Sequence, residues 1–180
     1  MNALAALLIV CTFLCALSAA QTNCFSGKHT NAWEAIQGFP SGVYFLVRTT
    51  GEDNKKCPYV RLPNDTQKIP HECKANLTYG HLAMFNRKKE HVLQVEAKGS
   101  YIVSKEGEHN ISVDYYDRAG CYITRVLDCT GTKPRFNFEL WRHSNATHTS
   151  KCCHDIFQYR IEGLTGRYVY DIDDCHKISK

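Results

Sequence analysis

The segment most informative about the fold reads Arg135-Phe136-Asn137-Phe138-Glu139-Leu140-Trp141, which is typical of a β-strand. Side chains two apart in a strand share a face, so Glu139 and Trp141 point one way while Phe138 and Leu140 point the other. One face of this strand is therefore apolar, and the other places a carboxylate beside an indole ring. That pair suits a cationic or amphiphilic small molecule through charge pairing and stacking on the ring. A solvent-facing glutamate beside a partly buried tryptophan is the alternative that the strand alone leaves open.

The N-terminus predicts a secretory signal peptide. Residues 3–20 are apolar or small and uncharged, and they end in Ser18-Ala19-Ala20, a small-residue cleavage pattern. The polar sequence Gln21-Thr22-Asn23 follows, without the basic flank of a signal anchor. We therefore expect a signal peptide over residues 1–20, one domain over residues 21–180, and a secreted product.

The cysteines predict a disulfide framework. The chain has 10 cysteines, and Cys11 and Cys15 leave with the signal peptide, so eight remain. An even number in an exported chain implies four disulfides. Neighbouring Cys152 and Cys153 hardly bond to each other without severe backbone strain, so they must reach different partners. No pair has the spacing of a structural zinc site, and we expect no bound metal.

Surface signals support export and argue against a polyanionic partner. Four N-glycosylation sequons indicate a eukaryotic secretory pathway, and their asparagines are Asn64, Asn76, Asn110 and Asn145. The net charge of +4 is mild, and the basic run Arg87-Lys88-Lys89 is typical of a solvated turn. We expect neither a nucleic acid nor a membrane as partner.

Turn signals divide the mature chain into strand candidates with one helix before them and one after. The strands are predicted at 43–49, 58–62, 75–85, 91–97, 101–104, 111–116, 122–128 and 135–142. Asn31 caps the first helix, which runs to residue 37 with Glu34 as its capping-box partner. The late helix covers residues 153–161, with Thr149 or Ser150 as its cap. The strands alone indicate an antiparallel barrel or a sandwich, and the full order is that of a lipocalin barrel, which holds one small ligand.

The mature chain resembles the tick salivary lipocalins, a group that includes histamine-, serotonin- and leukotriene-binding proteins and a complement inhibitor of soft ticks. The resemblance rests on Trp33-Glu34-Ala35-Ile36, Val43-Tyr44-Phe45-Leu46-Val47-Arg48, Glu139-Leu140-Trp141, Cys152-Cys153 and Asp174-Cys175. It implies an all-β fold, an eight-stranded antiparallel lipocalin barrel with a short N-terminal helix and a C-terminal helix, stapled by disulfides. It also implies the bonds Cys24–Cys152, Cys57–Cys175 and Cys121–Cys153, which leaves Cys73 with Cys129.

The amine-binding signature of that family is nearly complete in this chain. The signature is Cys-Asp-(Val, Ile or Leu), then Glu-Leu-(Trp or Tyr), then a cysteine. This chain has Cys121-Tyr122-Ile123, an interval of fifteen residues, Glu139-Leu140-Trp141 and Cys152. Tyr122 stands where the family has aspartate, so an amine held between two carboxylates would lose one of them.

The resemblance implies a ligand site inside the barrel. We expect the site to be formed by Glu139, Trp141 and Tyr122, with Tyr44, Trp33, Tyr115 and Arg48 as further lining candidates. Arg125 and Arg135 are two other strand arginines that would supply positive charge.

The expected function is that of a secreted salivary lipocalin that sequesters a small host inflammatory mediator and so suppresses host defence at the feeding site. The expected ligand is a cysteinyl leukotriene, ahead of histamine or serotonin, bound by a monomer without cofactor. The alternative is a protein-binding inhibitor of host complement or haemostasis on the same fold.

An enzyme is not expected from the motifs. The order Cys152-Cys153-His154-Asp155 is similar to the phospholipase A2 helix, but in those enzymes two residues separate the two pairs and a glycine-rich calcium loop lies upstream. Neither feature is present in this sequence, and no G-x-S-x-G or H-E-x-x-H motif occurs.

Overall fold

A computed structural model describes Cys24, residues 30–52, 54–104, 110–128 and 134–175, and Ile178. The strands are β1 Gly42–Thr49, β2 Lys56–Leu62, β3 Lys68–Ile69, β4 Lys74–Leu82, β5 Lys88–Lys98, β6 Tyr101–Ser104, β7 Asn110–Asp117, β8 Cys121–Asp128, β9 Arg135–His143 and β10 Arg167–Tyr168. The helices are α1 Ala32–Gly38, α2 Lys151–Arg160 and α3 Ile172–Cys175. The expected signal peptide lies outside the described residues.

Eight antiparallel strands close into a barrel. Neighbours follow the chain from β1 to β2 and then from β4 to β9, as expected of consecutive hairpins. The barrel closes where β9 pairs with β1, from Tyr44 opposite His143 to Thr49 opposite Glu139. β3 and β10 add short pairings to β4 and β1. The predicted order of strands between two helices is thereby confirmed.

Helix α1 closes one end of the barrel. The Asn31 side chain accepts hydrogen bonds from the backbone N–H groups of Trp33 and Glu34, at 2.8 and 3.2 Å, which begins the helix as predicted. Ile36 and the following Phe39 are buried against the inward side chains of the strands. The barrel interior is therefore sealed at the end where β1 begins.

Helix α2 packs on the outside of the barrel. Ser150 is its cap, and the Ser150 hydroxyl accepts from the Cys153 N–H at 3.3 Å. The buried face of α2, with Ile156 and Phe157, covers Leu140 on β9. Phe138, two residues earlier, packs against the same cluster. As predicted from the alternation in β9, one face of that strand lies beneath the helix.

Three disulfides join remote parts of the chain, namely Cys24–Cys152, Cys57–Cys175 and Cys121–Cys153. The two neighbouring cysteines thus diverge to different partners, as expected. Bonds of this kind are typical of proteins that mature in an oxidising compartment. None of the helices in the described part of the chain has the length and apolar character needed to cross a bilayer.

The expectation of a fourth disulfide, Cys73–Cys129, is not met at Cys73. Among the described cysteines, Cys73 is free. Its expected partner, Cys129, lies outside the described residues.

One strand is shorter than its sequence predicts. The apolar run suggested a strand through Phe85, but β4 ends at Leu82 and a short 3-10 turn, Met84–Asn86, follows. Phe85 has φ of 59°, the left-handed region that turns the chain back into β5. The elements β3, β10 and α3 were not predicted, since each is only two to four residues long.

Candidate functional site

The barrel encloses a cavity of about 460 Å³. Most of its wall is apolar, from aliphatic side chains such as Leu46, Leu77 and Ile102 together with aromatic rings. Ile36 and Phe39 form the floor at the closed end, and Glu52 and Arg135 lie among the residues at the opposite end. Its volume falls in the range of roughly 300 to 1,000 Å³ that is usual for small-molecule sites.

A single carboxylate forms the polar centre of the cavity wall. Glu139 accepts a hydrogen bond from the Thr124 hydroxyl at 2.9 Å and another from Trp141 Nε1 at 3.2 Å. The same indole N–H also donates to the Thr124 oxygen at 3.0 Å. β8 and β9 bring these groups together, because Thr124 is paired directly with Glu139. The carboxylate is therefore held in one orientation within an apolar chamber.

Aromatic rings stand beside this carboxylate. Tyr122 stacks on Trp141, with ring centroids 5.8 Å apart and planes 12° apart. The Tyr79 ring packs edge-on against Trp141, with ring centroids 6.2 Å apart. Burial raises the pKa of the Tyr122 phenol well above its ordinary value, and the neighbouring Tyr44 and Glu139 raise it further. Tyr122 is thus a neutral phenol at physiological pH.

The open end carries both signs of charge. Lys55, Glu52 and Arg135 contribute to the cavity lining there. Arg135 forms an ion pair with Glu52, with an N–O distance of 3.1 Å, and both side chains are largely exposed. An exposed pair of this kind contributes little to stability.

The structure brings together three of the predicted site residues. Glu139, Trp141 and Tyr122 all line the cavity. Tyr44 faces the interior but is fully buried beneath Tyr122, with centroids 5.1 Å apart, so the prediction that it lines the cavity is wrong. Trp33 packs at the edge of the barrel core, and its α1 neighbour Ile36 takes the lining position instead.

Arg48 lies outside the barrel, which corrects its expected role. It is buried against α2, with its guanidinium 5.3 Å from the Phe157 ring centroid and 4.6 Å from that of Tyr168. The register shifts between Leu46 and Arg48, where β1 carries a bulge opposite β9. The extra residue reverses the alternation, so Leu46 and Thr49 line the cavity and Arg48 points outward.

Tyr115 is displaced for the same reason. The register of β7 against β8 shifts between Val113 and Tyr115. Val113 lines the cavity, whereas Tyr115 packs against the external cluster beneath α2. Tyr116 takes the inward position that alternation had assigned to Tyr115. The prediction that Tyr115 lines the cavity is therefore wrong.

The arginines on β8 and β9 divide between the two faces. Arg135 reaches the cavity opening, while Arg125 lies 4.9 Å over the exposed Phe136 ring and beside Asp114. Sequence reasoning missed Thr124 and Asn137, which line the cavity. Strand alternation would have found them, since Thr124 lies two residues from Tyr122, and Asn137 two residues from Glu139.

The structure also places the four predicted glycosylation sites and a group of possible metal ligands. The side chains of all four sequon asparagines, Asn64, Asn76, Asn110 and Asn145, are exposed. Their glycosylation stays a prediction. Asp117 lies close to Cys121 and Cys153, but those two sulfurs are bonded to each other and are not thiolate ligands for a metal.

This closed barrel with its enclosed cavity has the architecture of a lipocalin. No protein-family model matches the sequence. The crystal structure of AM182 in complex with serotonin is similar, with a TM-score of 0.70 and 25% sequence identity, covering 86% of this chain and 97% of that chain.

Two siderocalins share the fold at lower similarity. Ex-FABP, which functions through dual ligand specificities, has a TM-score of 0.52 and 13% identity over 69% of this chain and 83% of its own. Q83, which has a dual ligand-binding mode, has a TM-score of 0.52 and 13% identity over 68% of this chain and 80% of its own. The chain therefore has the lipocalin fold.

Proposed function

We propose that the protein binds and sequesters a small amphiphile that has an amine and an apolar body, without chemical turnover. The observation that carries this proposal is the Glu139 carboxylate, oriented by Thr124 and Trp141 beside the stacked rings of Trp141 and Tyr122. An ammonium group gains a counter-charge there, and the adjoining aromatic faces attract the cation further.

The remainder of the cavity favours a ligand larger than histamine. At about 460 Å³ and with a mainly apolar wall, the chamber would stay largely unfilled around one small amine. Lys55 and Arg135 at the opening supply positive charge for ligand carboxylates. A cysteinyl leukotriene combines a fatty chain, carboxylates and a free amine, and we place it ahead of serotonin and histamine. The similarity to the serotonin complex of AM182 supports the amine component.

The biological role that we propose follows from the sequence resemblance to tick salivary lipocalins. A secreted, glycosylated protein that removes one mediator molecule per barrel would suppress host defence at a feeding site. Stoichiometric binding by a monomer is sufficient for that role.

Calorimetric titration of leukotriene C4, serotonin, histamine and leukotriene B4 tests this function. Glu139→Gln keeps the shape of the side chain but removes its charge, and we expect it to weaken amine-bearing ligands by about 2 to 5 kcal/mol. Leukotriene B4 has no ammonium and should bind the variant as well as the wild type or better. Glu34→Gln, on the exposed surface of α1, is the matched control. It should change neither the affinity for amine-bearing ligands nor the affinity for leukotriene B4.

Two outcomes would count against the proposal. If Glu139→Gln left every amine-bearing ligand unaffected, Glu139 would be a structural residue and the amine site would be rejected. Hydrolysis or oxidation of a bound ligand by the purified protein would replace sequestration with an enzymatic function.

A further inference from the structure

The turn between β4 and β5 exposes two large apolar side chains. Met84 is 82% exposed and Phe85 is 91% exposed, the highest values among the large hydrophobic residues described. The turn is closed by a hydrogen bond from the Ala83 N–H to the Arg87 carbonyl, at 2.8 Å. The two adjacent side chains form an exposed apolar patch, and an apolar patch rimmed by polar residues can mark a protein or membrane contact.

A basic run follows these two residues directly. Arg87, Lys88 and Lys89 are all exposed. Lys88 Nζ donates to the Ile178 carbonyl at 3.3 Å, so its ammonium is partly engaged. The carboxylate of the nearby Glu90 already has a partner on the barrel wall, because it accepts a hydrogen bond from the Tyr59 hydroxyl at 2.6 Å. The tip is thus apolar at its point and cationic at its base.

This tip stands at the open end of the barrel. Lys56 is paired with Leu82, and Leu82 with Lys88, so the β4–β5 turn and the β1–β2 loop lie at the same end. Lys55, in that loop, contributes to the cavity lining. Whatever surface the tip contacts therefore also lies close to the cavity opening.

We propose that Met84 and Phe85, with Arg87 and Lys89, form a docking surface for anionic phospholipid membranes. A membrane surface needs only a few inserted apolar side chains and neighbouring cations, because insertion and attraction to anionic headgroups act together. A stable protein interface buries roughly 800 Å² on each partner, which two side chains on a convex turn do not provide. Apolar and basic groups in this order therefore favour lipid over protein.

Docking goes beyond the proposed function and does not require it. If the cavity does take an amphiphile, the geometry gives that ligand a short path from the lipid phase to the barrel opening. The sequence alone assigned the basic run to a solvated turn and no membrane partner. The sequence placed Phe85 at the end of a strand, whereas the structure exposes it on a turn.

Cosedimentation of the purified protein with vesicles tests docking. Phosphatidylcholine vesicles containing phosphatidylserine should bind the protein, and pure phosphatidylcholine vesicles should bind it far less. The charge reversal Arg87→Glu with Lys89→Glu should lower partitioning onto anionic vesicles by about tenfold or more, and added salt should do the same. Met84→Ser with Phe85→Ser should lower it by a similar factor, because insertion is lost.

Matched controls lie on other parts of the barrel. Val92→Ser removes an apolar side chain that is 69% exposed on the barrel wall. Lys98→Glu with Arg118→Glu reverses two charges at the closed end. Both controls should partition as the wild type does.

Three results would overturn docking. They are no binding of the wild-type protein to anionic vesicles, equal binding to neutral vesicles, or equal losses in the tip variants and the controls. Calorimetric ligand binding by the same tip variants is a separate readout, so failure of docking and failure of the proposed function remain distinguishable.

Discussion

Thr124 links the two side chains that define the polar centre of the cavity. Its hydroxyl donates to Glu139 and accepts from Trp141, and the residue is only 4% exposed. Because both bonds are made within the protein, they orient the carboxylate toward one direction in the cavity wall. A preordered group loses less conformational entropy when the ligand arrives, which favours affinity.

Replacing Thr124 tests this arrangement. Thr124→Val keeps the shape but removes the hydroxyl, so Glu139 loses a buried donor, and we expect the free energy of unfolding to fall by about 1 to 3 kcal/mol. Thr124→Ser keeps the hydroxyl and should recover most of that loss. Urea unfolding of both variants provides the measurement. Destabilisation by serine, with valine as stable as the wild type, would show that the methyl group, and not the hydrogen bonds, matters at this position.

At the scale of strands, two bulges decide which side chains enter the cavity. The bulge in β1 turns Arg48 outward, and the bulge in β7 does the same to Tyr115. No glycine or proline marks either position in the sequence. Strict alternation therefore assigns residues correctly only as far as each bulge. By contrast, β9 runs without a register shift against β8, and its assignments of Glu139, Trp141 and Leu140 agree with the structure.

The bulge in β7 also provides an anchor for helix α2. The Asp114 side chain is 7% exposed and lies 3.4 Å from Arg160 on α2 and 3.7 Å from Arg125 on β8. It also accepts from the Ser112 hydroxyl at 3.2 Å. A buried carboxylate shared by two partly exposed arginines therefore joins the helix to the barrel wall.

Asp114→Asn should loosen this attachment. The change leaves both arginines without their shared counter-charge, and their partial exposure limits the expected loss of unfolding free energy to about 1 to 3 kcal/mol. Amide hydrogen exchange in α2 should become faster than in the strands. Asp155→Asn, which removes an exposed pairing with Lys151 on the same helix, is the control and should have little effect. Unchanged exchange in α2 of the Asp114 variant would contradict the anchoring role.

At the scale of the molecule, the sequence predicted the barrel and both main helices, and the resemblance to tick salivary lipocalins implied the three disulfides that the structure shows. The strands are separated by short turns, so their antiparallel neighbours follow from chain order. The C-terminal segment was not predicted, since β10 and α3 are short and are held by contacts with distant residues. Cys57–Cys175 and the contacts of Ile178 with the outer face of β1 and β2 fix this segment. Such long-range contacts leave no local periodic pattern.

Several tyrosines are buried in the barrel. Their burial makes the free energy of unfolding vary with pH in the alkaline range. Burial raises the pKa of both Tyr44 and Tyr122, and neighbouring charges add to the increase. In the unfolded chain, tyrosine loses its proton near pH 10. Below that pH both states keep their phenol protons, so these residues give no pH dependence. Above it the unfolded state releases protons that the folded state retains, and stability falls as pH rises.

Urea unfolding across an alkaline pH series, with thiols blocked by alkylation to prevent disulfide exchange, measures this dependence. Below about pH 10 the tyrosines should contribute no pH dependence to the unfolding free energy. Above that pH the unfolding free energy should decline. Tyr122→Phe removes one of the responsible groups and should make the decline shallower, whatever its effect on stability at neutral pH. Tyr159→Phe, on the exposed surface of α2, should leave the slope unchanged. An identical slope in wild type and Tyr122→Phe would show that the Tyr122 phenol ionises as readily in the folded barrel as in the unfolded chain.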